Sequence, residues 1–311
     1  MLYEIRIMND FCVDEDLKQY HCVLLSGCAC LGISHLGFLL VLRKLKKLRF
    51  LKYLCGTSIG SIIGLLFLLD IDIDHIFAAF SDHRMIELLD LTTTKVEKDV
   101  DSKSIASTDY VIAHLIDIIL SFKKCPDITF EQLYEISGVV FIVTASRLQA
   151  NSFIPEYFSC DNHPKMRIID AINASICVPI LFPIVTYEQQ FYIDGALVDD
   201  LPFAYVHDRY KVAFSDMIAH SPTTDIEETI ETGKHSEQSK SWIDLVSNIL
   251  RYTRTQMRNH KLQMTRTVFT QLDGAYFNVE ATPQVLLYYF HKAIEYTNLF
   301  IHSKRSLKEI I

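Results

Sequence analysis

The sequence has no excess of positive charge. Its 30 Lys and Arg residues are outnumbered by 38 Asp and Glu, leaving a formal net charge of −8. Without a basic surplus to displace counterions from phosphates, binding to nucleic acid is not expected. The sequence also lacks any CxxC pair. Its eight cysteines are scattered at positions 12, 22, 28, 30, 55, 125, 160 and 177, which fits neither a disulfide framework nor a zinc site. Several lie inside apolar runs, where a reduced thiol behaves as a small hydrophobe, so a reducing compartment is the expected setting. No apolar run reaches the ~20 residues that cross a bilayer. The opening MLYEIRIMNDFCVDEDLKQYH has acidic residues where a signal peptide has a basic start and an unbroken apolar core. These absences predict a cytoplasmic protein with only peripheral contact to membranes.

The 311 residues are 50% hydrophobic and 22% charged, which suits a globular enzyme and excludes disorder of the whole chain. That length holds one large α/β domain or two modest ones, either with a sizeable core.

The densest signal lies in residues 50–69, FLKYLCGTSIGSIIGLLFLL. The apolar run ending at Cys55 reads as a buried strand, and the one beginning at Ile62 as a helix. Between them Gly56, Ser58 and Gly60 spell GxSxG. Ser58 is thereby expected on a strand-to-helix turn so tight that small residues are needed at Gly56 and Gly60. Such a turn pushes the serine hydroxyl out of the sheet. It also sets that hydroxyl at a helix N-terminus, where free N–H groups and the helix dipole favour an anion forming beside it. The short pattern recurs by chance, and many such serines merely cap helices. The flanking strand and helix are what favour a nucleophile.

Upstream, residues 22–25 form a short apolar strand followed by SGCACLGISHLGFLLVLRKLKKL. Ser26, Gly27, Cys28, Ala29 and Gly32 make a loop of small residues that brings backbone close to a ligand. A helix is expected over residues 34–48, with Leu39, Leu42, Leu45 and Leu48 on one stripe. Together these segments compose one βαβ unit whose two loops open on the same edge of a parallel sheet. The backbone N–H groups of Gly27, Cys28 and Ala29 are candidates for an oxyanion hole, with that of Ile59 as a helper. Arg43, Lys44, Lys46, Lys47, Arg49 and Lys52 fit a solvated helix face better than a patch for anionic headgroups.

Residues 70–125 read as a helical insertion or cap, with His114 and Asp117 as surface groups rather than a metal pair. A helix over 130–135 ends at Gly138, residues 139–145 form a buried parallel strand, and a helix over 167–175 breaks before Pro179. Its Asn173 and Ser175 read as capping groups. A short strand over 190–193 then ends at Asp194, Gly195 and Ala196. A carboxylate leaving a strand beside a glycine is placed where a doubly wound fold gathers its active site, although Asp-Gly is also a common turn. Asp199 and Asp200 belong to the next turn and, if close, would raise the pKa of Asp194. Residues 206–311 read as a helical extension, with helical patterns over 242–270 and 283–302 and a mobile polar loop near 220–240.

GxSxG invites comparison with Ser-Asp-His enzymes of the α/β-hydrolase fold. That fold lays down several strands before its nucleophile, and only one fits ahead of Ser58. His207, the nearest histidine after Asp194, sits in a polar turn. A serine after the second strand, a small-residue loop after the first and an acid at a later strand end instead resemble the patatin-like phospholipase family. The resemblance covers about residues 20–205. It rests on LLSGCACLGISHLGFLLVL, YLCGTSIGSIIGLL, ITFEQLYEISGVVFIVTA, IIDAINASICVPILFPIV and FYIDGALVDDLPF, in the family's order. The low-complexity style and missing signal add a likeness to patatin-like proteins of large DNA viruses.

The resemblance implies a three-layer α/β/α fold with a mostly parallel central sheet, a lead-in over 1–20 and a catalytic domain over 21–205. It implies a Ser58/Asp194 dyad that works without histidine, metal or cofactor. Ser58 matches the family nucleophile and Asp194 the base. Gly27, Cys28, Ala29 and Ile59 match the oxyanion donors, and Gly32, Gly56, Gly60 and Gly195 the supporting glycines. The implied reaction is hydrolysis of fatty-acyl esters of phospholipids or lysophospholipids at a membrane surface. An aspartate near its ordinary pKa of ~3.9 is a poor base at neutral pH. Burial under lipid and nearby carboxylates are expected to raise it.

Two departures stand out. Where the family's first loop has three glycines, one residue, a basic residue and a glycine, residues 27–32 read GCACLG. A Cβ at Cys28 or Ala29 costs on the order of 1 kcal/mol if the loop needs a positive φ there. Asp200 stands where asparagine is frequent in the family. These changes leave two rivals open: a catalytically silent lipid-binding protein, and a soluble thioesterase or small-ester hydrolase.

Overall fold

The computed structural model describes residues 18–81, 107–122, 124–224, 266–273 and 282–306. An 8-stranded sheet forms its centre. Strands β3 (Val140–Gln149), β2 (Tyr53–Thr57), β1 (Cys22–Leu25), β7 (Met217–Thr224) and β8 (Thr267–Leu272) lie side by side and parallel in that order. Strand β4 (Ser152–Phe158) and the hairpin of β5 (Val185–Tyr187) and β6 (Gln190–Asp194) are antiparallel additions.

Strand residues alternate between two cores, as the period of two demands. Val23, Leu25, Leu54, Phe141, Val143 and Ile218 face the larger core. Cys22, Leu24, Cys55, Ile142, Met217 and Ala219 face the smaller one. Helices α1 (Ser34–Lys44), α2 (Ile59–Leu68), α3 (Ile73–Phe80), α4 (Asp109–Ser121), α5 (Phe130–Ser137), α6 (Ile168–Ile176) and α8 (Pro283–Ser306) bury apolar residues in the first. Helix α7 (Phe203–Tyr210) closes the second with Phe203 and Val206. Each fully buried Leu, Ile or Phe contributes roughly 1.5–3 kcal/mol, so both faces of the sheet must be covered. The expected three-layer α/β architecture is therefore present.

Several boundaries differ from the sequence expectation. Helix α1 stops at Lys44, and Lys46 then takes a left-handed φ of 52°, so residues 45–48 are turn. His114 of α4 is buried at 8% exposure rather than on the surface. The sheet does not end near residue 205. Strand β7 pairs with β1 and β8 with β7, and α8 sends Leu286, Tyr289, Phe290 and Ile301 into the larger core. The described part of the expected helical extension is thus two strands and a helix built into the same domain. Residues 220–224 of the expected polar loop belong to β7, while 225–240 lie outside the described residues. So do 1–17 of the lead-in and 82–106 of the expected cap. Strand β8 also occupies the end of the helical pattern read over 242–270.

Candidate active site

Thr57 ends β2 and Ile59 begins α2, leaving Ser58 alone at the turn. Its φ of 52° and ψ of −126° lie in a region that L-residues rarely occupy, a strain of order 1–3 kcal/mol that the surroundings must hold in place. They do so at both ends of the residue. The Ser58 N–H donates to Ser175 Oγ at 2.8 Å, and Ser175 Oγ–H donates to the Thr144 carbonyl at 2.6 Å. The Ser58 carbonyl accepts from the Ser61 hydroxyl at 2.6 Å and from the Ser61 N–H at 2.8 Å. The glycines meet the steric demand: a Cβ on Gly56 would lie 2.6 Å from the Gly60 carbonyl oxygen, and one on Gly60 would overlap the Leu25 carbonyl. Gly32 packs under the Ile59 side chain.

The acid arrives by a different route. Along one edge of β3, β4 pairs with residues 143–149. The opposite edge is therefore shared by β2, over residues 140–144, and β6, over residues 145–147. β2 runs up that edge and ends with Thr57 opposite Thr144; β6 runs down it and ends with Asp194 opposite Ala145. The two strands meet end to end. Ser58 and Asp194 are the residues at that junction. The next residue packs the junction shut, since a Cβ on Gly195 would overlap the Thr144 carbonyl and lie 3.1 Å from Thr57 Cγ2.

Asp194 is 1% exposed. Its Oδ1 accepts from the Ala196 N–H at 2.8 Å, its own N–H donates to the Cys177 carbonyl at 3.0 Å, and its carbonyl accepts from Ser146 Oγ at 2.9 Å. Burial, reinforced by the Asp194 charge, pushes the neighbouring Cys177 thiol up to about 12.

The first loop lies against the same junction. A Cβ on Gly27 would sit 3.0 Å from Ser58 Cβ, 3.1 Å from Ala196 Cβ and 3.4 Å from Asp200 Oδ1. The Gly27 N–H is not aimed at a substrate, however. It donates to Asp200 Oδ1 at 2.6 Å, which corrects its expected role as an oxyanion donor and leaves Cys28, Ala29 and Ile59. Cys28 has φ −159° and ψ 23°, and Ala29 takes the left-handed φ of 47° at which its Cβ is costly.

Asp199 and Asp200 diverge. Asp199 accepts from the Tyr157 hydroxyl at 2.6 Å. Its pKa is raised to about 6, by burial first and by the Asp200 charge, with the Tyr157 bond opposing. His207 donates to or accepts at neither anchor: its Nδ1 lies 2.9 Å from the Val212 carbonyl and its ring stacks on Phe214. The exposed basic residues Arg43, Lys44, Lys46, Arg49 and Lys52 gather before β2. That end of the strand is roughly 20 Å from Ser58 at 3.3 Å per residue, which separates them from the site. Among the described residues no group of three or more His, Cys, Asp or Glu is arranged to hold a metal ion. No helix among them is long and apolar enough to cross a membrane.

Comparison with known proteins fits this arrangement. The sequence matches the patatin-like phospholipase family over residues 23–207. The chain belongs to the patatin-like phospholipase family. A curated relative, the probable lipid hydrolase 463L of Invertebrate iridescent virus 6, is 26% identical over 185 residues. The match takes in 60% of this chain and 62% of that protein, so this chain spans less than two thirds of its relative's length. Among solved structures, VipD from Legionella pneumophila superposes with a TM-score of 0.56 at 12% identity, over 92% of this chain and 67% of that one. ExoU in its complex with SpcU from Pseudomonas aeruginosa gives a TM-score of 0.53 at 13% identity, over 92% and 52%. These likenesses share the patatin-like fold and include a viral relative.

Sequence reasoning missed three contributors. Ser175 read as a helix cap, yet it holds the Ser58 amide. Asp200 read as part of a turn, yet it fixes the first loop. His35 drew no notice inside an apolar helix; it proves to be 0% exposed, with Nε2 2.9 Å from the Ser26 carbonyl. The signal for Ser175 was its polarity beside the apolar run ICVPILF, after Asp170 and Asn173 at the helical spacing of the exposed side.

Proposed function

We propose that the protein is a serine acyl hydrolase acting on fatty-acyl esters of phospholipids or lysophospholipids. Ser58 attacks the ester carbonyl while its hydroxyl proton passes to Asp194. The tetrahedral oxyanion is held by the N–H groups of Cys28, Ala29 and Ile59. Collapse expels the alcohol, which takes the proton back, and leaves an acyl-Ser58 ester. Water, activated by Asp194, then releases the fatty acid. The observation that supports this reading is the end-to-end meeting of β2 and β6 on one edge of β3, with a strained serine following the one strand and a buried aspartate ending the other. A lipid substrate is supported by exposed Ile180 and Ile184 on the segment leaving Cys177, and by exposed Phe191 on the strand carrying Asp194. The protein is proposed to act from the cytoplasm, peripherally at a membrane surface, with no nucleic-acid partner.

The test is release of fatty acid from phosphatidylcholine and lysophosphatidylcholine vesicles, compared with a short soluble aryl ester and a soluble thioester. Activity that rises as substrate passes from monomers to vesicles, and that Ser58→Ala abolishes, is the expected result. Equal turnover of soluble esters or thioesters would favour a small-ester hydrolase or thioesterase. One observation favours a silent lipid-binding protein: the Asp200 carboxylate and the Ala29 Cβ both burden the loop that must hold an oxyanion. Vesicle binding without hydrolysis would establish that reading.

A further inference from the structure

The Ser26–Gly27 peptide, which opens the first loop, is gripped at both ends by buried side chains. Its N–H donates to Asp200 Oδ1 at 2.6 Å, and its carbonyl lies 2.9 Å from His35 Nε2. His35 in turn meets a second histidine, with its Nδ1 2.7 Å from His220 Nδ1. His220 Nε2 lies 2.9 Å from Thr270 Oγ1. Ser26, His35, His220 and Thr270 are all 0% exposed. Phe38 stacks on the His220 ring at 4.9 Å, and the Ser26 N–H donates to the His220 carbonyl at 3.2 Å.

Cys28 Sγ also lies 3.3 Å from His35 Nε2, and with both rings uncharged the protons in this chain have one arrangement. A carbonyl only accepts, so His35 Nε2 carries hydrogen. Complete burial, with the neighbouring His35, holds the His220 pKa well below the ordinary histidine range. Neutral His35 therefore presents a bare Nδ1, which accepts from His220 Nδ1–H. His220 Nε2 is then bare and accepts from the Thr270 hydroxyl. Each bond dictates the next, so the Ser26 carbonyl fixes the His35 tautomer and, through it, that of His220.

We infer that His35 and His220 are positioning residues for the reaction proposed above, clamping the Ser26–Gly27 peptide plane so that the following N–H groups of Cys28 and Ala29 point at the oxyanion. The clamp replaces restraint that this loop does not get from its own sequence, since Ala29 holds a left-handed φ of 47° with a Cβ in place. A peptide free to rotate at Ser26 would let the loop relax away from that conformation. His35 stands in the first turn of α1, so the loop's orientation is tied to the helix that follows it.

Two measurements test this inference, which rests on the acyl-hydrolase reading. Ring 15N chemical shifts of the intact wild-type protein are expected to show His35 protonated at Nε2 alone and His220 at Nδ1 alone. Protonation of His35 at Nδ1, or an imidazolium on either ring, overturns the clamp. Kinetics on a soluble aryl ester, with rates normalised to folded protein by circular dichroism, form the second arm. His35→Ala is expected to lower kcat about 10- to 100-fold through misplacement of the donors, with KM unchanged. His35→Gln, which offers an amide N–H where Nε2–H stood, restores most of that loss, and His220→Asn, which keeps an N–H at the Nδ1 position, lowers kcat less than His220→Ala does. Wild-type kcat in folded His35→Ala overturns the inference, as does a His35→Gln variant no better than Ala. Should the alanine variant not fold, the glutamine and asparagine variants and the ring shifts still decide. A wild-type protein that releases no product from any ester would instead defeat the acyl-hydrolase reading, leaving the tautomers to be judged by the shifts alone.

Discussion

Ser175 shows how one residue's role depends on a partner distant in sequence. Its hydroxyl joins the Ser58 N–H to the Thr144 carbonyl, and all three residues are buried. Ser175→Ala leaves a buried donor and a buried acceptor without that link, at a cost of about 1–3 kcal/mol. It also frees the strained Ser58 backbone. Urea unfolding is expected to show that loss, and kcat to fall with it; a variant unchanged in both would contradict the arrangement. Asp199 makes a pH-dependent contribution. Its folded pKa of about 6 lies above the ordinary value of 3.8, so the folded state holds the proton more tightly. The stability it adds is present below about pH 4 and is lost as pH rises through about 6, on the order of 1–3 kcal/mol. Asp199→Asn keeps an acceptor for Tyr157 and removes the titration. Unfolding free energies measured at pH 4 and pH 7.5 should then differ by that much less than in wild type, and an unaltered difference would contradict the shift.

At the scale of elements, the β2–Ser58–α2 turn was legible because a small-residue motif stood between two apolar runs of different period. Asp194 was legible only as the end of a strand. The sequence expectation placed it on the C-terminal edge of a doubly wound sheet, whereas β6 descends antiparallel along the overhang of β3. Register between distant strands is set by long-range pairing, and nothing local in QFYID records its direction. The turns hid the hairpins in a similar way. Ala150 between β3 and β4, and Glu188 and Gln189 between β5 and β6, all take positive φ, although none of the three is itself Gly or Asn; Asn151 beside Ala150 marks the first turn. Replacing Glu188 and Gln189 with Asn-Gly supplies residues suited to φ of 46° and 62°. The double variant is expected to gain about 1 kcal/mol in urea unfolding without loss of kcat. A destabilised variant would contradict the turn geometry.

Over the whole molecule, the match to the family ends at residue 207, but the fold continues. The second half of β7 read as the start of a polar loop because HSPTT has no clean apolar alternation. Its His220 and Ser221 are nevertheless fully buried, and His220 meets His35 of α1 and Thr270 of β8, which only the assembled fold brings to it. Removing everything after residue 210 would strip β1 of β7 and α1 of α8. The truncated chain is expected to lack cooperative thermal unfolding, and a stable, cooperative 1–210 fragment would contradict the single-domain architecture. A smaller disturbance acts on the same packing, since a Cβ on Gly37 of α1 would overlap the Phe290 carbonyl of α8. Gly37→Ala is expected to cost about 1–3 kcal/mol through overpacking, read as a lowered urea midpoint.

The central claim is that one serine and one aspartate, brought together where β2 and β6 meet, form a nucleophile and its base. The most direct measurement is intact-protein and peptide mass spectrometry after exposure to a fluorophosphonate. A single adduct mapped to Ser58, formed in wild type and lost or slowed at least about 100-fold in Asp194→Asn, is the expected result. Rapid labelling that survives Asp194→Asn unchanged, or an adduct on any serine other than Ser58, would contradict it.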